Sequence, residues 1–346
     1  MKLPLLLLLG LSLNAAAQKD RPNVLYIMSD DHDANAISAY SKTLINTPNI
    51  DRIAKEGAIF TNAFVGNSIC SPARATLLTG QHSHKNGLKD NRFRFDSSKI
   101  TLPKLLGTTG YQTAVIGKWH LHSYPTGFDY WKILPGQGLY YEPRIIGMDG
   151  DTSTYHGYAT DVITNESLTW LKEKRDARKP FMLLLHHKAP HRYFFPPLKY
   201  IQEFHKKTFP EPAGLFEKME NHGTAWRKQT MSILLDMKLC SDLKVDPAYL
   251  ESIPELRADS AEAAYYRAIM NRIPTTEREK IKEIYAERGK IIQATRPKAD
   301  ALLKLKFQWY LQDYLACVAS VDENVGRVLN YLDSAGLTKN TLVIYT

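Results

Sequence analysis

The sequence is poor in cysteine, with only Cys70, Cys240 and Cys317 in 346 residues. So few sulfurs exclude the dense disulfide framework of small exported domains, and the fold has to rest on a hydrophobic core. An odd count in an exported chain also points to one thiol with another job. Cys240 and Cys317 are free to pair with each other or to sit as buried small apolar residues. No apolar run beyond residue 20 approaches the length of a membrane span, so none is expected. Internal repeats and low-complexity tracts are lacking, which sets aside solenoids and disordered arrays. Basic residues are not interleaved with aromatics, so no nucleic-acid partner is expected.

What is present is an ordinary globular composition, 44% hydrophobic and 23% charged. The length suits one large α/β domain, or one domain carrying a big insertion. The net charge of +9 suits an anionic partner. Much of it lies between Lys199 and Lys306, where acidic and basic residues alternate as on solvated helix faces. At the N-terminus, Met1-Lys2, the apolar Leu3 to Leu13 and Ala15-Ala16-Ala17 read as a signal peptide over residues 1–17. No cysteine follows it to carry a lipid, so an exported protein, periplasmic or secreted, is expected.

Asn23 to Met28 is a nearly continuous apolar run and reads as a buried strand of a parallel sheet. It ends in Ser29-Asp30-Asp31-His32, at the strand end where open α/β sheets place their ligands. Thr47-Pro48 opens a helix that stops at Gly57. Ala58 to Val65 reads as a strand, Pro72 to Thr79 as a helix closed by Gly80, and Thr101 to Thr109 as a helix ended by Gly110. Gln112 to Ile116 reads as a strand, Asp161 to Lys174 as a helix and Phe181 to His186 as a buried strand. Leu302 to Ala335 is a long helix capped by Gly336, and Thr341 to Tyr345 is a last strand. Strands separated by helices imply a sheet covered on both faces. Residues 199–298 lack any strand pattern and read as a helical insertion beside that sheet.

The most constrained stretch runs from Cys70-Ser71-Pro72-Ala73-Arg74 to Thr79-Gly80. Cys70 is expected in a loop just ahead of a helix, with Ser71 as N-cap and Pro72 at the first helical position. A helix N-terminus stabilises negative charge, and Arg74 in the first turn offers a fork for a carboxylate or sulfate oxygen. Asp30 and Asp31 form a hard-oxygen pair suited to Ca²⁺ or Mg²⁺. Lys118 and His120, in Gly117-Lys118-Trp119-His120, again follow an apolar strand. So does His186-His187-Lys188-Ala189-Pro190-His191-Arg192, whose histidines lack the helical i, i+4 spacing of a transition-metal site.

These motifs together resemble the type I sulfatases of the alkaline-phosphatase-like superfamily, whose signature is Cys-x-Pro-x-Arg followed by Thr-Gly. The resemblance covers Asn23 to His191 in order and resumes from Tyr310 to Thr346. It implies an α/β/α sandwich with a largely parallel central sheet. It also implies that a formylglycine-generating maturation enzyme oxidises Cys70 to formylglycine (3-oxoalanine). The hydrated aldehyde carries two hydroxyls on one carbon; one attacks sulfur and displaces the alcohol, and the other expels sulfate as the aldehyde re-forms. The resemblance makes Asp30, Asp31 and residue 70 ligands of a divalent cation, Ca²⁺ with Mg²⁺ as the alternative. Arg74 and Lys118 then neutralise sulfate charge, His120 assists deprotonation of the nucleophile, and His191 protonates the leaving oxygen. His187 and Arg192 are left either to shape the substrate pocket or to support the loop.

The string His-Lys-Ala-Pro-His-Arg resembles sulfatases acting on sulfated glycans, such as those removing the 6-sulfate of N-acetylglucosamine. The implied partner is a sulfated carbohydrate substrate. In the family the last strand runs into an Asp-Asn-Gly segment with two further metal ligands, then a catalytic lysine and a small C-terminal subdomain. The sequence ends at Tyr345-Thr346, so that subdomain is expected to be missing. Two alternatives stand beside the sulfatase reading: a phosphodiesterase or phosphonate hydrolase of the same superfamily, and an inactive remnant that still binds sulfated glycan.

Overall fold

The computed structural model describes residues 21–346 apart from 218, 219, 221 and 230, so the expected signal peptide at 1–17 lies outside the described residues. Seven strands form one sheet: β1 (Asn23–Met28), β2 (Gln112–Lys118), β3 (Tyr130–Leu134), β4 (Arg144–Ile146), β5 (Thr152–Thr154), β6 (Phe181–His186) and β7 (Thr341–Tyr345). Their order is β5-β4-β3-β2-β6-β1-β7. The β3-β2-β6-β1-β7 block is parallel, and β4 and β5 add an antiparallel edge. The mostly parallel α/β sheet is therefore as expected. β3, β4 and β5 were not read from the sequence; β4 and β5 have three residues each, too short for a periodic signal.

The helices are α1 (Pro48–Glu56), α2 (Cys70–Thr79), α3 (Ser83–Asn86), α4 (Leu102–Thr108), α5 (Ala159–Thr169), α6 (Leu198–Phe204), α7 (Thr224–Lys228), α8 (Ser260–Arg272), α9 (Thr275–Thr295) and α10 (Ala299–Ser334). A π-helical turn, Trp170–Lys174, continues α5. Side chains alternate between the sheet's two faces. Leu183 and Leu185 of β6 join the core under α5 and α10, whereas Met182 and Leu184 join Ala75 and Leu78 of α2 on the other side. That alternation is why the central strands read as unbroken apolar runs, and each fully buried Leu contributes about 1.5–3 kcal/mol.

α10 ties the layers together. Asp322 accepts hydrogen bonds from the backbone N–H groups of Asn49 (3.0 Å) and Ile50 (2.8 Å), so it caps α1 from across the fold. Asn324 donates to Asp161 of α5 at 2.8 Å. Asp313, buried, accepts from Lys244 (3.1 Å) and Arg288 (2.8 Å) and anchors the helical segment. Tyr314 donates to the carbonyl of Asp31 and accepts from the N–H of Asp33, both at 2.8 Å.

Two expectations are corrected, and the open alternative for Cys240 and Cys317 is decided. Ala58 to Val65 forms no strand: no described strand pairs with it, and Phe60 and Phe64 are 75% and 90% exposed. Strand propensity without a ladder partner and a face to bury does not hold an extended segment in a sheet. The second helix begins at Cys70 itself, with Ile69 at the N-cap position, and the Ser71 hydroxyl donates instead to the carbonyl of His120 at 2.6 Å. Cys240 and Cys317 are unpaired, each fully buried as a small apolar group.

Candidate active site

Parallel pairing brings the carboxyl ends of β1, β2 and β6 to one edge of the sheet. Met28 and Gly117 are both register partners of His186, so the residues just beyond each strand emerge side by side. The N–H of His187 donates to Met28 (2.8 Å) and that of Asp30 to Ala189 (3.2 Å), which extends this alignment past the strands. Gly117 has φ +111°, and a Cβ there would collide with the carbonyl oxygen of His186. Only glycine lets β2 come this close to β6 before Lys118 turns into the site.

Asp30 is the hub. Its Oδ2 lies 2.7 Å from the Arg74 guanidinium and 2.7 Å from Lys118 Nζ. All three side chains are buried. The two cations outweigh the cost of burial and hold the Asp30 carboxyl well below the usual carboxylate range. Arg74 also donates to the Lys118 carbonyl (2.5 Å) and lies 3.1 Å from His186 Nδ1, so its fork ties α2 to two strand ends. The Cys70 thiol donates to Asp30 Oδ1 at 3.6 Å, and Lys118 Nζ reaches Cys70 Sγ at 3.8 Å. Burial, then Asp30, push the thiol up, against the pull of Lys118.

His191 completes the cluster: a ligand atom from each of Asp30, Cys70 and His191 lies within 4.8 Å of the others. His191 Nε2 is 3.8 Å from Asp31 Oδ2. Burial first, then Lys118 and Lys188, lower His191 to about 4, so the ring is neutral. His120 is likewise lowered to about 4 by burial and then Lys118, and its Nδ1 is buried without a hydrogen-bond partner. The Asp31 carboxyl is raised by burial and by Asp30 beside it. Thus Asp30, Asp31, Cys70, Arg74, Lys118, His120 and His191, from four separate stretches of sequence, stand at one edge of the sheet.

Two neighbours carry roles that the motifs alone did not assign. Arg192 forms a fork with Asp242 at 2.5 and 2.6 Å, so it fixes the loop after His191 to the helical segment. Asp242 has no local signal, since its partner is fifty residues away in the chain. Lys188 is buried, with its Nζ 4.7 Å from the centre of the Tyr140 ring. A lysine inside a mostly apolar strand end was its one visible cue. His187 is fully buried with both ring nitrogens unpartnered.

Comparison with known proteins places this geometry. A phosphonate monoester hydrolase of Agrobacterium radiobacter shares the fold, with a TM-score of 0.57, 20% identity, and coverage of 94% of this chain and 62% of that one. The structure of BT4656 in complex with its substrate, D-glucosamine-2-N,6-O-disulfate, matches at TM-score 0.87 and 42% identity, covering 94% of this chain and 65% of that one. An N-acetylglucosamine-6-O-sulfatase of Bacteroides thetaiotaomicron is 44% identical over 350 residues, 99% of this chain and 61% of the relative. The chain thus spans roughly three fifths of the length of that curated relative. The profile of the sulfatase family matches residues 22–346, and the chain belongs to that family.

Proposed function

We propose that this site hydrolyses a sulfate ester of a glycan, with residue 70 as nucleophile after its oxidation to formylglycine. The observation that carries the reading is the meeting of Cys70 with Asp30, Arg74 and Lys118 at the start of α2. As a thiol, Cys70 is raised rather than activated, which is the wrong direction for direct thiolate attack. A hydrated aldehyde at the same position supplies two hydroxyls, one to bond sulfur and one to release it.

Asp30, residue 70 and His191 lie close enough to hold an ion, and Asp31, exposed next to Asp30, would add the second carboxylate that a hard divalent cation favours. Arg74 and Lys118 both bind Oδ2 of Asp30, so Oδ1 faces only the thiol. Asp31 brings a second carboxylate whose raised pKa reflects burial and repulsion from Asp30, and a cation relieves that repulsion. A Ca²⁺ or Mg²⁺ held by these residues would supply Lewis acidity to the sulfate and the nucleophile. The protein's own groups do the rest. Arg74 and Lys118 present fixed positive charge to the sulfate, with no reorganisation needed. Neutral His120 is ready to accept a proton. His191 gains basicity when an anionic ester arrives beside it, takes up a proton from solvent, and passes that proton to the leaving oxygen.

The named activity of the Bacteroides relative and the disulfated glucosamine bound by BT4656 support a 6-sulfated glucosamine glycan as substrate. A formylglycine-generating enzyme is the required maturation partner, and export to the periplasm or medium is the proposed location. No described helix is long and apolar enough to cross a membrane. The test is protein purified from a host that contains the maturation enzyme. Tryptic mass spectrometry is expected to show an aldehyde at position 70, and an aryl sulfate is expected to turn over faster than a phosphate diester or a phosphonate. An alkylatable Cys70, or faster phosphonate turnover, sinks the reading.

A further inference from the structure

Beside the cluster opens a cavity of about 350 Å³ that contains His191 in its wall. Its inner side carries Lys188 and its outer side Arg272, with Tyr193 and Tyr265 between, and no Asp or Glu lines it. Tyr265, Ile269 and Arg272 are spaced four and three residues apart on α8 and so share one helix face. The rings of Tyr193 and Tyr265 sit 4.8 Å apart and are 36% and 40% exposed, a platform open to solvent. Arg192 is committed to Asp242, but neither Lys188 nor Arg272 has a carboxylate within 4.0 Å among the described residues. Lys188 is only 4% exposed. A buried ammonium facing an aromatic ring is costly to hold charged, and burial followed by Lys118 lowers it to about 8. An anion placed in the cavity offsets that cost; a neutral ligand does not.

We propose that this cavity binds a second anionic group of the same glycan, a sulfate or a carboxylate, between Lys188 and Arg272, with a sugar ring lying on Tyr193 and Tyr265. The inference rests on the sulfatase reading and narrows its substrate to glycans carrying one further negative group near the scissile sulfate ester. Arg272 suits the role, because its planar fork pairs with either oxyanion in bidentate fashion. Tyrosine faces suit the apolar face of a sugar, with their hydroxyls left to water.

The experiment is calorimetric titration of the chain, with Cys70 kept as cysteine, against three probes: D-glucosamine-6-O-sulfate, D-glucosamine-2-N,6-O-disulfate, and a uronic acid linked to glucosamine-6-O-sulfate. One or both doubly anionic probes are expected to bind about tenfold tighter than the monosulfate, the size of one charge-assisted contact. A gain with the disulfate assigns a sulfate to the cavity, and a gain with the uronate assigns a carboxylate. In Arg272→Gln and Lys188→Met the ratio is expected to fall towards one. Arg272 is an exposed residue at the end of α8, so its variant keeps the fold, and an unchanged melting temperature verifies this. Equal affinity for all three probes, or a ratio unchanged in both variants, overturns the inference alone. Binding of none of the probes overturns the proposed function and this inference with it.

Discussion

Replacing Arg74 with methionine removes three buried contacts at once. The guanidinium holds Asp30 Oδ2 at 2.7 Å, the Lys118 carbonyl at 2.5 Å and His186 Nδ1 at 3.1 Å. Breaking a buried ion pair by deleting one partner costs roughly 3–5 kcal/mol. Asp30 keeps Lys118 at 2.7 Å, which puts the ion-pair loss near the lower end of that range. The Lys118 carbonyl and His186 Nδ1 lie 3.2 Å apart and keep each other as partners, so losing the guanidinium adds about 1–3 kcal/mol for the two together. Partial relaxation and the retained hydrocarbon stem of methionine offset some of this. The net expectation is a loss of about 3–5 kcal/mol, which is a large share of a typical domain's stability. Arg74→Lys keeps the charge but cannot span all three partners, so about half that loss is expected. Urea unfolding followed by tryptophan fluorescence reads both values, with the m-value required to stay constant. In the matured protein, turnover of an aryl sulfate by Arg74→Met is expected to fall by at least about a hundredfold. A stability within 1 kcal/mol of the parent, or Arg74→Lys as damaging as Arg74→Met, refutes the account of the guanidinium as a three-way tie.

Further expectations concern the cation, the acid side and the long helix. Millimolar Ca²⁺ is expected to raise the melting temperature, by the equivalent of about 2.7 kcal/mol when it stands a hundredfold above Kd. Asp31→Ala should abolish that rise while leaving the Asp30 ion pairs intact; a rise that survives the substitution refutes the proposed ligand set. His187 is held to about 3 by burial alone, below the unfolded value near 6.5. The unfolded chain therefore takes up a proton that the folded chain refuses, and stability is lost as pH falls from about 6.5 towards 3, by up to about 1.4 kcal/mol per pH unit. His187→Phe should lower the slope by one proton's share in pH-dependent urea titrations, since His120 and His191 keep theirs in the same window, and an unaltered slope counts against the assignment. Asp322→Ala leaves the first N–H groups of α1 uncapped and should cost about 1–3 kcal/mol, with Asp322→Asn recovering part of it. Equal melting temperatures for parent and Ala variant would show that the cap contributes nothing.

Much of the sheet was legible because its central strands are buried on both faces and leave unbroken apolar runs. β1, β6 and β7 have the ends read from the sequence, and β2 runs two residues further, through Gly117 and Lys118. Ala58 to Val65 shows the limit of that signal. An apolar, β-branched run marks a segment able to enter a sheet, and only a partner strand makes it do so. The motif residues around Cys70 and the strand ends were marked by sequence, and the register of three parallel strands explains why they stand together. Asp242, Asp313 and Asp322 carried no such mark. Each acts on a residue at least 25 positions away in the chain, a relation that no local pattern encodes. Lys188 was visible as a residue but not as a role, since its meaning depends on the absence of a carboxylate beside it.

α10 extends over 36 residues, about 54 Å of helix. Its Tyr314 grips the backbone of Asp31 and Asp33, one residue along from the Asp313 that fastens Lys244 and Arg288 of the helical segment. The same rod thus steadies the edge of the sheet that holds the candidate site and anchors the helical segment that supplies Tyr265 and Arg272. The division resembles a tool with a fixed chuck and an interchangeable bit. The exposed positions of α8, Tyr265 and Arg272 among them, can be exchanged by design, while Tyr266 and Met270 stay buried in the core and hold the helix in place. The carboxylates and cations at the strand ends would not register the exchange. Changes confined to the exposed face of α8 therefore leave the cluster at the strand ends untouched.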